Sequence, residues 1–478
     1  MDQGVVLATI IFYKALLIGV GVWASRRTSS EGDFFIGDRA LGPWVAGLSY
    51  AASTSSAWVL LGFSGFVYSV GLSALWMVPG VWMGYVIAWL WIGPRIRSAA
   101  ERKSHITLTD YLVEDLSGPW RTVSVVCASA LILFCFTFYI GAQFQAAGAA
   151  FADTFGMNAT EAILLGAAVI LVYALMGGFW AVSLTDTIQG AVMGLVAILL
   201  PALAVIAAGG PIGLVEALRS SAPEGYFDWT GGHDGLPFLF FILGLAAIGL
   251  GTCGQPQLMN RLMAVRDDKA RRQGFAIAMG WGVAVFMGMT ALALAGRSLA
   301  PTLSNGETIF YEMTETLLPP VLAGIVLAAI LSAVMSTVDS VLLASAGAVA
   351  HDLGVAKGSE ARALLASRIT MAAICVVSIG LTLSVEASIF GRVLFAWTAL
   401  GAAFGPIVIA RVIGFTPPAW AVAASMLVGF ALAVGFNQFW PPGPGAINER
   451  LLPWLPSLLV LIAASKFKFR RKAISHEI

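Results

Sequence analysis

Residues 322–350 are apolar enough to cross a bilayer as a helix, yet they contain Ala333-Val334-Met335-Ser336-Thr337-Val338-Asp339-Ser340. On a helix Ser336, Asp339 and Ser340 fall at i, i+3 and i+4, so they share a face that Thr337 borders. A carboxylate at the centre of a spanning helix costs about 2.5–3.5 kcal/mol on insertion scales, so such a group faces a partner or a pathway. Hydroxyls and a carboxylate with no cysteine thiolate or imidazole beside them suit a hard cation rather than zinc or copper. The chemistry implied is the binding of an ion.

A second segment is as unusual. Residues 47–58 read Gly47-Leu48-Ser49-Tyr50-Ala51-Ala52-Ser53-Thr54-Ser55-Ser56-Ala57-Trp58, with small and hydroxyl residues where a lipid-facing helix has aliphatics. Four consecutive Ser/Thr side chains compete for backbone hydrogen bonds and weaken the helix. One reading is a helix unwound near mid-membrane, whose freed carbonyls can hold a cation. The other is a close helix contact through small residues. A second polar-interrupted helix roughly 280 residues later favours the first.

Three further features point the same way. Asp186, in Ser183-Leu184-Thr185-Asp186-Thr187, either joins an ion path or answers a helix dipole. Tyr139 lies in the polar-tolerant run 136–143 and is a cavity wall or a buried aromatic. Gly254-Gln255-Pro256-Gln257 is a functional break or a plain helix end.

The elements that must position these residues are membrane helices. Hydrophobic residues make up 59% of 478 and charged residues 11%, which places the chain outside the soluble range. Thirteen spans are expected, at about 4–24, 43–70, 74–94, 120–148, 160–177, 180–208, 236–256, 273–296, 318–350, 363–385, 388–411, 416–437 and 450–466. With the N-terminus outside, the inner loops and span ends hold 22 Lys/Arg, including Arg26, Arg27, Arg261, Lys357, Arg411 and the tail at 466–472. Only Arg219, Arg297, Arg392 and Arg450 fall outside, and Lys14 alone lies deep within a span. That asymmetry follows the positive-inside rule and places the C-terminus in the cytoplasm. The basic tail reads as a topology determinant. The start Met-Asp-Gln-Gly lacks a basic n-region, so the first apolar run is expected to be retained. Outer connections at 209–235 and 297–317 carry turn residues, with a short interfacial helix expected at 213–220. The four cysteines lie in apolar stretches and form no disulfide or metal pattern.

Other function classes fit less well. Gly62-Phe63-Ser64-Gly65 looks like the serine motif of intramembrane proteases, but such a serine needs a base, and all four histidines are expected in loops or the tail. No metalloprotease helix motif or nucleotide-binding loop is present. A solute sensor acting through a separate kinase partner is a further alternative; no attached signalling domain is expected after the last span.

Taken together, Gly37-Asp38-Arg39-Ala40-Leu41-Gly42-Pro43, Trp58-Val59-Leu60-Leu61-Gly62, the run 177–186, Gly254-Gln255-Pro256 and the run 333–340 resemble the sodium/solute symporter family, and its bacterial sodium/proline symporters in particular. The resemblance implies an all-α integral membrane protein of the LeuT-like fold, with two inverted five-helix repeats at 43–208 and 236–411. Residues 1–42 and 412–478 would be peripheral, and 209–235 an outer loop. It implies a sodium ion bound by the carbonyls of Ala52, Ser55 and Ala333 and the hydroxyls of Ser336 and Thr337. A second sodium or proton site would use Asp186, Ser336, Asp339 and Ser340. The matching substrate positions are Thr54, Ser56, Tyr139, Ile248, Thr252 and Pro256. Thr54 stands where the proline symporters carry a carboxylate, and Ile248 and Thr252 stand where they carry Trp and Tyr.

The expected function is therefore sodium-coupled import of a small organic solute, an amino acid such as proline, by alternating access across the inner (plasma) membrane. A proton-coupled transporter or a uniporter of the same fold is the alternative. Sodium is the coupling ion and no organic cofactor is expected. The partners are the solute, the ion and the lipid bilayer, with no nucleic acid.

Overall fold

A computed structural model describes residues 2–25, 31–174, 178–355, 360–385 and 387–465. Arg26, Arg27, Lys357 and the tail at 466–478, on which part of the charge asymmetry rests, lie outside the described residues. Among the described residues, 11 helices are long and apolar enough to cross a membrane. Two features separate that number from the thirteen expected spans. Residues Pro43–Lys103 run as one 61-residue helical stretch, covering the second and third expected spans. The fifth expected span is described as the helix Ala159–Ala174, and its last expected residues, 175–177, lie outside the described residues.

The chain opens with α1 (Gln3–Ser25) and enters α2 (Pro43–Ala57) through Pro43, whose missing N–H costs nothing at a helix start. The backbone of α2 breaks at Ser56, with φ 39° and ψ −168°. It widens into π-helical turns at Trp58–Phe63 and continues as α3 (Ser64–Val70). Next come α4 (Met77–Val86), α5 (Gly93–Lys103) and α6 (Leu108–Val113), the last opened by a Thr107–Asp110 capping box. Then follow α7 (Pro119–Phe155), α8 (Ala159–Ala174) and α9 (Phe179–Ala207). The interfacial helix expected at 213–220 is α10 (Gly210–Ser221).

The second half repeats the device of a broken helix. After α11 (Gly235–Ala246) the chain tightens into 3-10 turns at Ala247–Gly254, turns extended at Gln255, and restarts at Pro256 as α12 (Pro256–Ala264). All nine residues of α12 are buried, so the segment expected to leave the membrane as a loop is interior helix. The long α13 (Asp268–Leu299) and the short α14 (Ile309–Leu317) lead to α15 (Pro320–Gly347). This last helix is continuous through residues 333–340, so the second break lies at Gln255 and not in the polar segment. The chain finishes with α16 (Glu360–Ser384), α17 (Ile389–Val412), α18 (Ala419–Phe439) and α19 (Trp454–Ala464).

Burial sorts these helices. α15 and α17 are enclosed nearly throughout, whereas only 28% of the apolar window of α1 is buried. α1 turns Leu7, Ile11, Phe12 and Leu16 outward, as a lipid-facing helix should. The helix α15 packs against α1, α2, α7, α9 and α16, which puts the hydroxyl and carboxylate segment at the centre of the bundle.

Candidate ion and substrate site

Breaking a helix inside hydrocarbon frees backbone groups that must find partners. At the α2 break the Ala57 N–H donates to Gln143 Oε1 of α7 at 3.2 Å. The Trp58 N–H donates to Ser56 Oγ at 3.2 Å, and the Trp58 indole donates to the Thr54 carbonyl at 3.0 Å. The break at Gln255 is held in the same manner by α17. Gln255 Nε2 donates to the carbonyls of Gly251 and Trp397, each at 3.0 Å, and the Trp397 indole donates to the Ile248 carbonyl at 2.8 Å. Close backbone approach makes this possible: a Cβ on Gly84 of α4 would stand 2.8 Å from Thr252 Oγ1.

The α2 break abuts α15. Ser53 Oγ lies 3.0 Å from Ser340 Oγ and 3.5 Å from the Ser336 carbonyl. Ser340 Oγ donates to the Ser336 carbonyl at 2.6 Å, and Ser336 Oγ to the Ala333 carbonyl at 3.2 Å. Two buried hydroxyls in these segments, Ser55 Oγ and Thr337 Oγ1, have no hydrogen-bond partner in the protein. A buried hydroxyl without a partner costs about 1–3 kcal/mol unless something else satisfies it. Ala52, Ser55, Ala333, Ser336 and Thr337, expected as ion ligands, offer only oxygen atoms, the chemistry of a hard cation.

The carboxylates are arranged differently from the expectation. Asp186 of α9 is fully buried, and its Oδ2 accepts from Arg261 Nη2 of α12 at 2.6 Å. The same Nη2 donates to Ser340 Oγ at 2.6 Å, while Arg261 Nη1 and Nε reach the Gln257 carbonyl (2.9 Å) and Ser49 Oγ (3.3 Å). Arg261, expected among inner-loop charges, is thus the guanidinium that answers Asp186. Asp339 does not share this cluster's hydrogen bonds: both of its oxygens are buried without a partner. On the helix Asp339 and Ser340 are one residue, roughly 100°, apart; Ser340 meets Asp186 by a hydrogen bond, whereas Asp339 stands within the electrostatic reach of Asp186, Lys14 and Arg261 without bonding to any of them. The helix is continuous through 333–340, so Ser336, Asp339 and Ser340 keep their i, i+3, i+4 spacing, but only Ser336 and Ser340 are joined by a hydrogen bond.

The expected substrate positions divide. Tyr139 is fully buried, with its hydroxyl beside Ser56 and no partner of its own. Ile248, Thr252 and Pro256 are buried along the second break. Thr54 is spent locally, its hydroxyl donating to the Tyr50 carbonyl at 2.7 Å. Ser64, the serine of the protease-like motif, likewise donates to its own helix at the Leu60 carbonyl. His351, expected in a loop, instead ends the helical extension of α15 and lies 3.0 Å from Asp110 Oδ2 of α6. With Asp352 these two form the one metal-ligand-like group among the described residues. Asp352 Oδ1 accepts from Thr107 Oγ1 at 2.7 Å, so the group also ties the end of α15 to α6.

Sequence reasoning missed Arg261. The available signal was the run Leu258-Met259-Asn260-Arg261-Leu262-Met263, in which Asn260-Arg261 stands between two apolar pairs, separate from the true loop cluster that starts at Arg266.

Comparison with known proteins agrees with this architecture. The model of the sodium:solute symporter family matches residues 34–413. The high-affinity proline transporter PutP of Bacillus subtilis (strain 168) is 32% identical over 424 residues, 87% of this chain and 88% of that one. The sodium/proline symporter of Escherichia coli (strain K12) is 33% identical over 446 residues, 91% of this chain and 88% of that one. Among solved structures, a Na+-coupled sialic acid symporter in a substrate-bound outward-open state superposes with a TM-score of 0.80 at 17% identity, covering 96% of this chain and 97% of the other. The fold is therefore the LeuT-like transporter fold, and the chain is a multi-pass membrane transporter, not an enzyme. By sequence and by architecture, this protein belongs to the sodium:solute symporter family.

Proposed function

We propose that the protein imports a small zwitterionic amino acid, proline first among candidates, together with sodium. The observation that carries this reading is the α2 break at Ser56 set against the hydroxyl face of α15, with Ser55 Oγ and Thr337 Oγ1 left without protein partners. In the proposed site the carbonyls of Ala52, Ser55 and Ala333 and the hydroxyls of Ser336 and Thr337 surround the ion. Bound sodium would join α2 to α15 and fix the Ser56 turn, completing a solute pocket walled by Ser56, Tyr139, Ile248, Thr252 and Pro256. The unpartnered Tyr139 hydroxyl is available to a polar solute there.

Residues 43–208 and 236–411 serve as the two inverted repeats in this reading, with thirteen crossings, the N-terminus outside and the C-terminus in the cytoplasm of the inner membrane. One repeat rocks against the other around the broken helices. Each inward charge gains about 2.3 kcal/mol per 100 mV, enough for roughly fifty-fold accumulation of a neutral solute before the sodium gradient adds to it.

The pocket differs from that of the proline relatives at Ile248 and Thr252, so the solute is the part to measure. Uptake of a labelled panel led by proline and other small amino acids, in proteoliposomes under an inward sodium gradient, names it. Accumulation of one of these above its outside concentration is expected. Accumulation that ignores sodium would overturn the reading.

A further inference from the structure

Four helix ends meet on one face of the bundle: α7 closes at Phe155, α8 opens at Ala159, α16 closes at Ser384 and α17 opens at Ile389. Between them lies a cleft of about 400 Å³ whose lining includes Gln145, Ala152, Ile163, Thr382, Leu383 and Arg392. None of these belongs to the ion and solute site proposed above. A Cβ on Gly141 of α7 would stand 3.0 Å from Thr382 Oγ1 and 3.8 Å from Arg392 Nη1. Tyr139, two residues and roughly 200° away on the same helix, is the one that serves the solute site. Arg392 lies in the first turn of α17 and is only 5% exposed. An arginine near a membrane surface ordinarily extends its charged head to water. Here Nη2 donates to the Val385 carbonyl, while Nη1 is buried with no partner, and among the described residues no carboxylate pairs with the guanidinium. Glu386, beside Val385 in the chain, lies outside the described residues.

A buried cation without a counter-charge is strongly unfavourable, so the cleft is built for an anion. The other polar groups narrow its chemistry. Gln145 Nε2 donates to the Ala387 carbonyl at 2.9 Å, which leaves Gln145 Oε1 as a buried acceptor without a partner. Thr382 Oγ1 is spent on the carbonyls of Gly141 (3.0 Å) and Ser378 (2.7 Å). The cleft therefore offers one cationic donor and one neutral acceptor, and the rest of its wall is apolar, from Ala149, Ala152, Ile163 and Leu383. The adjoining surfaces of α8 and α16 expose Leu164, Leu165, Val376 and Val377, as helices facing lipid do. We propose that the cleft binds an anionic phospholipid with a hydroxyl in its headgroup. The phosphate oxygens accept from Arg392 Nη1, the headgroup hydroxyl donates to Gln145 Oε1, and an acyl chain lies in the apolar slot between α8 and α16. A guanidinium suits a phosphodiester because its N–H groups form charge-assisted hydrogen bonds to the oxygens. A free oxyanion would use the polar end of the cleft and leave the apolar slot unfilled. In the orientation proposed above, the site opens to the outer leaflet and ties the start of α17 to α7, α8 and α16.

The test is thermal unfolding of the full chain in a neutral detergent, titrated with phosphatidylglycerol, phosphatidylcholine or soluble glycerol 3-phosphate. A ligand that binds the folded protein raises the unfolding midpoint with its concentration. Phosphatidylglycerol is expected to raise the wild-type midpoint at lower concentration than phosphatidylcholine, and glycerol 3-phosphate to leave it unchanged. In Arg392→Gln the phosphatidylglycerol concentration giving half the shift should rise about ten- to a hundredfold, the scale of losing a hydrogen bond to a charged group. Ala152→Leu fills the slot and leaves the guanidinium in place; it should weaken the same response, and it decides the matter if Arg392→Gln does not fold. An equal phosphatidylglycerol response in wild type and the folded variants would overturn the site. Stabilisation by glycerol 3-phosphate at the same concentrations would overturn the lipid in favour of a free oxyanion. Glu386→Gln and Arg392→Gln/Glu386→Gln complete the set. If Glu386→Gln lowers the midpoint and the double variant recovers it, the chain supplies its own counter-charge and the proposal fails.

Discussion

Arg261 Nη2 of α12 stands 2.6 Å from Asp186 Oδ2 of α9, with both side chains withdrawn from the surface. The contact joins the segment after the second helix break to a helix of the first half, and Ser340 of α15 shares the same guanidinium. Three elements are thereby held at one point next to the proposed sodium site.

Removing one partner of such a pair strands the other. Arg261→Met and Asp186→Asn are each expected to destabilise the protein by about 3–5 kcal/mol. The combined variant should recover much of that loss. Detergent thermal unfolding of the three variants checks this, and additive losses would show that the pair is not the source of the effect.

Ser56 carries backbone strain. Its φ of 39° with ψ of −168° lies where L-residues rarely sit, at a cost of about 1–3 kcal/mol. Ser56→Gly relieves the strain but loses the acceptor for the Trp58 N–H, so it should fold and transport near normally. Ser56→Val, β-branched at the same position, should lose most uptake. Expression and initial uptake rates of the two variants decide; equal behaviour would remove the break from the account.

Much of this site could be read from residue types. The run Ser53–56 announced the α2 break because four adjacent hydroxyl side chains compete with the helix. Gly254 and Pro256 marked a second break, although a Gly/Pro pair reads equally well as a plain helix end. Less visible was what happens after the break, because a basic residue between two apolar pairs resembles a topology signal until α12 is seen to fold back into the bundle. Asp339 was legible as a buried carboxylate but not its direction. Residues at i+3 and i+4 straddle a helix face, and only the packing of the neighbouring helices decides which side each one meets. The hydroxyl of Thr54 looked available and is instead bonded one turn back.

The buried Tyr139 hydroxyl has no protein partner, and in the proposed site it faces the solute. Tyr139→Phe should raise the KM for the solute about two- to tenfold, the equivalent of one hydrogen bond of roughly 0.5–1.5 kcal/mol, with a smaller effect on the maximal rate. An unchanged KM would place the solute elsewhere.

Asp110 joins α6 to the end of α15 outside the membrane-spanning segments. Burial raises its pKa, but the hydrogen bond and charge of His351, with the amides of Ile106 and Thr107, outweigh that and hold it below the ordinary carboxylate value. A depressed carboxylate stabilises the fold above its unfolded pKa, and this contribution is lost as pH falls through the folded value. Asp110→Asn should therefore cost about 1 kcal/mol at neutral pH, the size of a lost helix cap, and flatten the decline in thermal stability below about pH 4. Parallel unfolding curves for wild type and variant from pH 7 to pH 3 would contradict this.

The central claim is that sodium binds between the α2 break and α15. Its most direct test compares proline uptake by wild type and Ser336→Ala/Thr337→Ala in proteoliposomes under an inward sodium gradient, an inward proton gradient, and neither. The account predicts accumulation by wild type with sodium alone and a loss of about tenfold or more in the double variant, the scale set by losing at least 1.4 kcal/mol of ion binding. Accumulation that follows protons, or sodium-driven uptake that survives the double substitution, would contradict it.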